Sequence, residues 1–370
     1  MNIGLIGFGS MGRTHAFSIA NLPFFYRDLP FHAQITGVCT RDPEHARAAV
    51  DAFGLGRAAT EDELISDPSI DIIDICTPNV YHYETILRAL RAGKHIYCEK
   101  PLCVTEEQAA EVAAQANQCG VTAGIVFNNR FLLPVMRAKE WIDEGKLGRI
   151  LSFRGVYYHS SAADTAKRAG WKQNRDICGG GVLFDLGSHV IDLIYYLCGS
   201  FDEVFGVGRI VYPVRTGMDG NAWRTNADEA FYMTARLANG ALGTIETGKI
   251  FNGANDDLSF EIYGTEGSLR FSLMEPNWLY VYDKNSEQTG YRRVECCGRY
   301  PAPGGIFPGV KAPVGWLRGH IGSMYNFLNA VYAAQPVSPS FADGAHIQAV
   351  MAAAYRSDAS GRMEKVITNE

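Results

Sequence analysis

Asn2-Ile3-Gly4-Leu5-Ile6-Gly7-Phe8-Gly9-Ser10-Met11-Gly12 is the stretch whose reading decides the fold. A short apolar run, spaced as a buried strand, passes directly into G-x-G-x-x-G, and the turn opens a helix. In that context Gly7 makes the tight turn, Gly9 lets the backbone approach a pyrophosphate, and Gly12 lets helix and strand pack closely. The helix amino terminus offers unpaired N–H donors and a positive dipole end to phosphate. Gly7, Phe8, Gly9, Ser10, Met11 and Gly12 are therefore expected to bind a dinucleotide.

Working outward, residues 34–39, 70–75, 95–97 and 121–127 read as further strands, separated by helical patterns such as 81–92 and 106–117. Strands alternating with helices imply right-handed crossovers and a doubly wound parallel sheet, an α/β Rossmann domain expected over residues 1–128. After Phe127 the pattern changes. A helix near 133–144, a strand near 150–158 and a helix near 181–198 precede successive strand-like runs at 204–211, 227–237, 242–249, 258–263, 268–271 and 279–282. Strands without intervening helices predict a mainly antiparallel, open-faced sheet in an α+β domain over 129–370. A proline- and glycine-rich loop at 300–313 and two closing helices, near 315–334 and 344–361, complete the chain. No internal repeat or low-complexity tract is present.

At 370 residues, the chain has room for two domains at about 150 residues each. Hydrophobic residues at 47% and charged residues at 20% are ordinary globular usage, which excludes a disordered or fibrous chain. A formal net charge of -6 leaves no footprint for nucleic acid. Nine scattered cysteines without a C-x-x-C pair argue for reduced thiols over a disulfide framework or zinc ribbon. With no signal-like amino terminus and no long apolar run, the expectation is a cytoplasmic protein without a membrane partner.

Beyond the fingerprint, the second strand ends in Thr40-Arg41, where an NAD-selective site would place a carboxylate on the ribose 2′-hydroxyl. A hydroxyl and a guanidinium accommodate a 2′-phosphate, so the reading leans to NADP, or to dual use with NAD. A solvated Arg41 with Asp42 on the ribose is the alternative. Asp185 and His189 stand four apart at the start of a helix, hence on one face, and a carboxylate beside an imidazole suits general acid/base work near neutral pH. The plain alternative is a dipole-complementing Asp and a core His. The histidines and cysteines show no metal-ligand spacing, and no metal is expected. The lack of a G-x-S-x-G elbow leaves acyl transfer unsupported.

The chain also contains Cys76-Thr77-Pro78-Asn79 with His82, Glu99-Lys100-Pro101, Phe127-Asn128-Asn129-Arg130-Phe131, Gly179-Gly180-Gly181 leading to Asp185 and His189, and Ser340-Phe341-Ala342-Asp343-Gly344. Together with the fingerprint, over essentially the full length, this set resembles the glucose-fructose oxidoreductase/inositol dehydrogenase/MocA (Gfo/Idh/MocA) family. Its members oxidise or reduce sugars and cyclitols with a nicotinamide cofactor. The resemblance implies that Lys100 bonds the reacting oxygen, that His189 exchanges the proton, and that Asp185 positions His189 and touches substrate. It implies Thr77, Pro78, Asn79, His82, Glu99 and Asn128 at the cofactor and a cis Lys100–Pro101 bond. Tyr157, His159, Trp171 and Arg175 would meet the sugar, with core anchoring as the plain alternative for Tyr157 and Trp171. A homodimer or homotetramer formed through the open sheet face is expected. Two other readings stay open: a redox-neutral sugar conversion around a retained cofactor, and a non-catalytic dinucleotide sensor.

Overall fold

The computed structural model describes residues 1–298, 301–304, 307 and 315–367. It divides into two compact units, Met1–Phe131 with Gly298–Ala345, and Leu132–Cys297 with His346–Glu370.

The first unit runs β1 (Asn2–Ile6), α1 (Ser10–Phe25), β2 (Gln34–Cys39), α2 (Pro43–Phe53), β3 (Arg57–Ala58), α3 (Glu61–Ser66), β4 (Ile72–Ile75), α4 (His82–Arg91), β5 (His95–Cys98), α5 (Glu106–Cys119) and β6 (Ala123–Ile125). The strands form one parallel sheet in the order β3-β2-β1-β4-β5-β6. β1 and β4 are neighbours although distant in sequence, and the carboxyl ends at such a switch point are where open α/β sheets bind ligands. Covering both faces buries Ile3, Leu5, Ile72, Ile73 and Ile75, which is why these strands read as unbroken apolar runs. Helix starts follow local chemistry: Asp42 accepts from the Glu44 amide, Thr60 and Glu63 form a reciprocal capping box, and Thr105 accepts from Gln108.

The second unit contains α6 (Leu133–Asp143), β7 (Ile150–Tyr158), α7 (Arg175–Cys178), a π-helical turn over Leu183–Gly187 and α8 (Ser188–Cys198). Then come β8 (Phe201–Arg209), β9 (Val214–Thr216), β10 (Ala222–Arg224), β11 (Ala230–Leu237), β12 (Leu242–Gly248), β13 (Asp257–Gly264), β14 (Gly267–Ser272), β15 (Trp278–Asp283) and β16 (Arg292–Glu295). The chain continues through α9 (Trp316–Ala333), in the first unit, to α10 (Phe341–Ser360) and β17 (Glu364–Lys365). Nine strands form a sheet in the order β16-β15-β14-β13-β7-β12-β11-β8-β17, antiparallel throughout except for the β12–β7 pair. On β11, Phe231, Met233, Ala235 and Leu237 point inward, while Tyr232, Thr234 and Arg236 alternate outward. α8 lies against the inner face so closely that a Cβ on Gly155 would stand 2.4 Å from Val190.

Two expectations change. The closing helix, read as part of the second domain, belongs to the first unit: Tyr97 and Ser323 hydroxyls lie 2.7 Å apart, and Tyr26 stacks on Tyr325 at 3.9 Å. Boundaries read from strand grammar alone miss this return of the chain. The expected helix over 181–198 opens as the π turn, and most of the 300–313 loop lies outside the described residues. The stretch Arg175–Cys198 has the length and hydropathy of a membrane span, but 78% of that window is buried inside the protein, as in a core helix.

Candidate active site

The candidate residues divide between the two units, and each set is built by its own sheet. In the first unit the fingerprint turn follows β1. Gly7 has φ of +97°, and a Cβ there would lie 2.5 Å from the Cys76 carbonyl, so only glycine fits. A Cβ on Gly12 would lie 2.2 Å from the Gly7 carbonyl, whereas one on Gly9 would meet nothing within 4 Å. Open space over Gly9, with the first-turn amides of α1 behind Ser10 and Met11, is the cradle a pyrophosphate requires. Phe8 lies 5.7 Å from Phe53 between ring centroids and lines an apolar cavity of about 470 Å³ with Arg13, Phe17, Leu55 and Leu317. At the end of β2, Thr40 donates to the Asp42 carbonyl at 2.5 Å, Asp42 caps α2, and Arg41 is exposed.

The loops after β4 and β5 are tied together by His82. It is wholly buried, with Nε2 2.9 Å from the Thr77 carbonyl and Nδ1 3.0 Å from that of Pro101. Burial lowers its pKa, so the neutral ring can donate only one of these bonds. It thereby ties together the loops that carry Thr77, Pro78, Asn79 and Lys100. The Lys100–Pro101 bond is cis. Glu99 is buried: one oxygen accepts from the Lys100 amide at 3.2 Å and the other lies 3.2 Å from His15 Nε2. Asn128 is also buried and donates to Asn129. Arg130 reaches Ser338 at 3.1 Å and Asp343 at 3.3 Å, while Ser340 and Asp343 cap α10 reciprocally. The conspicuous Ser-Phe-Ala-Asp-Gly motif is thus a structural anchor.

In the second unit the glycine run exists for Asp228. A Cβ on Gly181 would lie 2.2 Å from the Asp228 carbonyl, and the Asp228 carboxylate accepts from the amides of Gly181 and Leu183 at 3.0 and 3.2 Å. That fixes the turn carrying Asp185, whose oxygens face Lys172 Nζ at 2.6 Å and Lys249 Nζ at 3.8 Å. His189 meets the edge of Tyr157 at 5.9 Å. Tyr157 donates to Asp256 at 2.6 Å, and His159 Nε2 lies 2.8 Å from the same oxygen. Burial pushes the Asp256 pKa up, but the bonds from His159 and Tyr157 outweigh it and hold the carboxyl below its ordinary value. Trp171 is exposed beside Lys172. Arg175 lies over the Tyr355 ring at 4.3 Å, and Tyr355 in turn bonds Asp228, which links Arg175 to the glycine run.

Sequence reasoning missed Lys249, Asp256 and Asp228. Lys249 follows β12 directly, with an ammonium that has no hydrogen-bond partner among the described residues, only the longer ion pair to Asp185. A single lysine after a strand gives no sequence signal for this. Among the described residues, His15, Asp74 and Cys76 have donor atoms within 4.8 Å of one another. The ring nitrogen already lies 2.9 and 3.1 Å from both Asp74 oxygens, the spacing of an ion pair sharing a proton.

Comparison with known proteins shows the family. The family described as an oxidoreductase family with an NAD-binding Rossmann fold matches residues 1–127, and the GFO/IDH/MocA C-terminal domain matches residues 135–270. Levoglucosan dehydrogenase of Pseudarthrobacter phenanthrenivorans is 34% identical, covering 93% of this chain and 92% of its own. A solved levoglucosan dehydrogenase in complex with NADH and levoglucosan is 33% identical, with a TM-score of 0.94 over 100% of both chains. The 2,7-anhydro-N-acetylneuraminate hydratase of Escherichia coli is 25% identical over 97% of this chain and 94% of its own.

Proposed function

The chain belongs to the Gfo/Idh/MocA oxidoreductase family, and on that premise we propose that it dehydrogenates a ring hydroxyl of a neutral pyranose of the levoglucosan type. The chemistry in outline is that of an NAD-dependent sugar oxidoreductase. The carbinol C–H leaves as hydride to the nicotinamide, the O–H leaves as a proton, and the sugar becomes a ketone. A nicotinamide cofactor held by the Gly7–Gly12 turn would supply the hydride acceptor.

The chain's own residues supply everything else. A hydride departs only as its hydroxyl is deprotonated, so a base and a cation must meet at that oxygen. His189 takes the proton and Lys100 stabilises the forming alkoxide. Asp185, held by Lys172 and Lys249, orients the neighbouring sugar hydroxyls, and the Tyr157–His159–Asp256 cluster bonds those further round the ring. The observation that carries this reading is the convergence of Asp185, Lys249, Tyr157 and His189 at one end of the β7–β12 pair, a set of fixed polar groups suited to a small polyol. His189→Ala is expected to lower kcat with NAD and levoglucosan by about 10²–10⁴-fold and to leave NAD affinity unchanged. Wild-type turnover in both His189→Ala and Lys100→Met would overturn it.

The hydratase relative favours a second reading, in which the hydride returns to the sugar after elimination or hydration. Reduced cofactor accumulating with product excludes it. Three finer points belong to the same proposal. Use of NADP beside NAD is supported by exposed Arg41 and by Asp42 being engaged as a helix cap. A cytoplasmic location is supported by the scattered spacing of the nine cysteines, with no C-x-x-C pair in the sequence. A homo-oligomer is supported by Phe205, Val207 and Tyr232, exposed as cross-strand neighbours on the outer face of the large sheet.

A further inference from the structure

We propose that His15, clamped between Asp74 and Glu99, is a positioning residue for Lys100 that sets both the location of the Lys100 backbone and the charge its ammonium faces. The inference deepens the function proposed above and rests on its assignment of Lys100 to the reacting oxygen.

His15 lies one turn beyond Gly12 on α1. Its Nδ1 faces both oxygens of Asp74, at the end of β4, and its Nε2 faces Glu99 Oε1, just past β5. The three side chains are all but removed from solvent, at 1%, 1% and 6% exposure. Each ring nitrogen meets a carboxylate, so each must donate, and only the imidazolium carries two donors. Burial works most strongly against that charge, but Asp74 and Cys76 together outweigh it and hold the His15 pKa well above its usual value. The other Glu99 oxygen accepts from the Lys100 amide at 3.2 Å, which carries the clamp into the backbone of the proposed active-site lysine.

Cys76, Tyr97 and His320 also surround the ring. Burial keeps the Cys76 thiol, 3.2 Å from Nδ1, in its neutral form. Burial likewise raises the Tyr97 hydroxyl, whose ring lies 5.3 Å away. His320, 6.4 Å away on α9, is lowered by burial to about 3 and is neutral. The buried group therefore comprises two carboxylates and one imidazolium, with Glu99 electrostatically coupled to Lys100. Neutralising His15 would face Lys100 with a second uncompensated carboxylate and make it hold its proton more tightly. Neutralising Glu99 would do the reverse.

The test uses full-length protein and reads Lys100 directly. Trace acetylation with acetic anhydride across a pH series, followed by peptide mass spectrometry, reports the ionisation midpoint of Lys100 without any substrate. His15→Gln is expected to raise that midpoint by about one pH unit and to move the alkaline-side fall of kcat with NAD and levoglucosan upward by a similar amount. The double variant His15→Gln/Glu99→Gln, with the charge rebalanced, should return the midpoint towards wild type. Should His15→Gln fail to fold, Glu99→Gln alone must lower the midpoint. An unchanged midpoint in a folded single variant, or no return in the double variant, overturns the proposal. A shifted midpoint in a protein that oxidises no sugar counts against the function proposed above and not against the clamp. Sugar oxidation that depends on Lys100, with an unmoved midpoint, counts against the clamp alone.

Discussion

Lys249 shows how much of the site is decided by single side chains. Its ammonium is buried at the end of β12 and faces the Asp185 carboxylate at 3.8 Å, with no hydrogen bond among the described residues. A buried cation with spare donors gains most from an oxygen-rich ligand, since a hydrogen bond to a charged group contributes about 1.5–3 kcal/mol. Lys249→Met should therefore raise KM for levoglucosan by about 10–100-fold, measured by steady-state kinetics, while NAD affinity stays unchanged. Asp256 makes a pH prediction. Its folded pKa lies below the ordinary 3.8, so the stability it contributes is present above that value and is lost as pH falls through the lower folded value. Urea unfolding of wild type and Asp256→Asn should differ at pH 6 and converge towards pH 2 to 3. A gap that persists undiminished in acid contradicts the assignment.

At the scale of elements, the loop that carries Trp171 and Lys172 is held from beneath by a buried ion pair. Arg215 on β9 meets Glu229 at 2.5 Å and donates to the carbonyls of Ala162 and Asp164, while Glu229 accepts from the amides of Val211 and Tyr212. Removing one partner strands the other charge in the interior, at about 3–5 kcal/mol. Arg215→Met should lower unfolding stability by that order and speed hydrogen exchange over residues 160–175. Equal exchange in both proteins would show that the pair does not hold the loop. The same contrast explains what the sequence could reveal. The fingerprint, the parallel strands and the glycine run were legible because close approach at Gly7, Gly12 and Gly181 demands residues that stand out. Asp228, Glu229 and Lys249 were not, because their roles depend on partners brought together by sheet pairing. Nor did the sequence show the partners of His82 and Arg175, which are backbone carbonyls for the first and the Tyr355 ring for the second. Residue type and motif proximity cannot distinguish a side chain that touches ligand from one that braces the residue that does.

Across the whole molecule, the class of each sheet followed from the alternation of strand and helix patterns, whereas the division of the chain did not. α9 returns to the first unit because aromatic packing around Tyr26, Tyr97 and Phe327 rewards it, and no local pattern encodes so distant a partner. The outer face of the large sheet exposes Phe205, Val207 and Tyr232 together, which a monomer would leave in water. Light scattering after size exclusion should give a multiple of 40.6 kDa, and Val207→Lys should shift it towards the monomer. A monomer mass for the wild type would remove the face from the account. The central claim, hydride transfer from a sugar carbinol, is tested most directly with levoglucosan deuterated at each ring carbinol carbon in turn. Mass spectrometry of the nicotinamide released with NAD should find one deuterium from one position, stoichiometric with ketone product and abolished in His189→Ala. Sugar turnover with no deuterium on the released nicotinamide would contradict it.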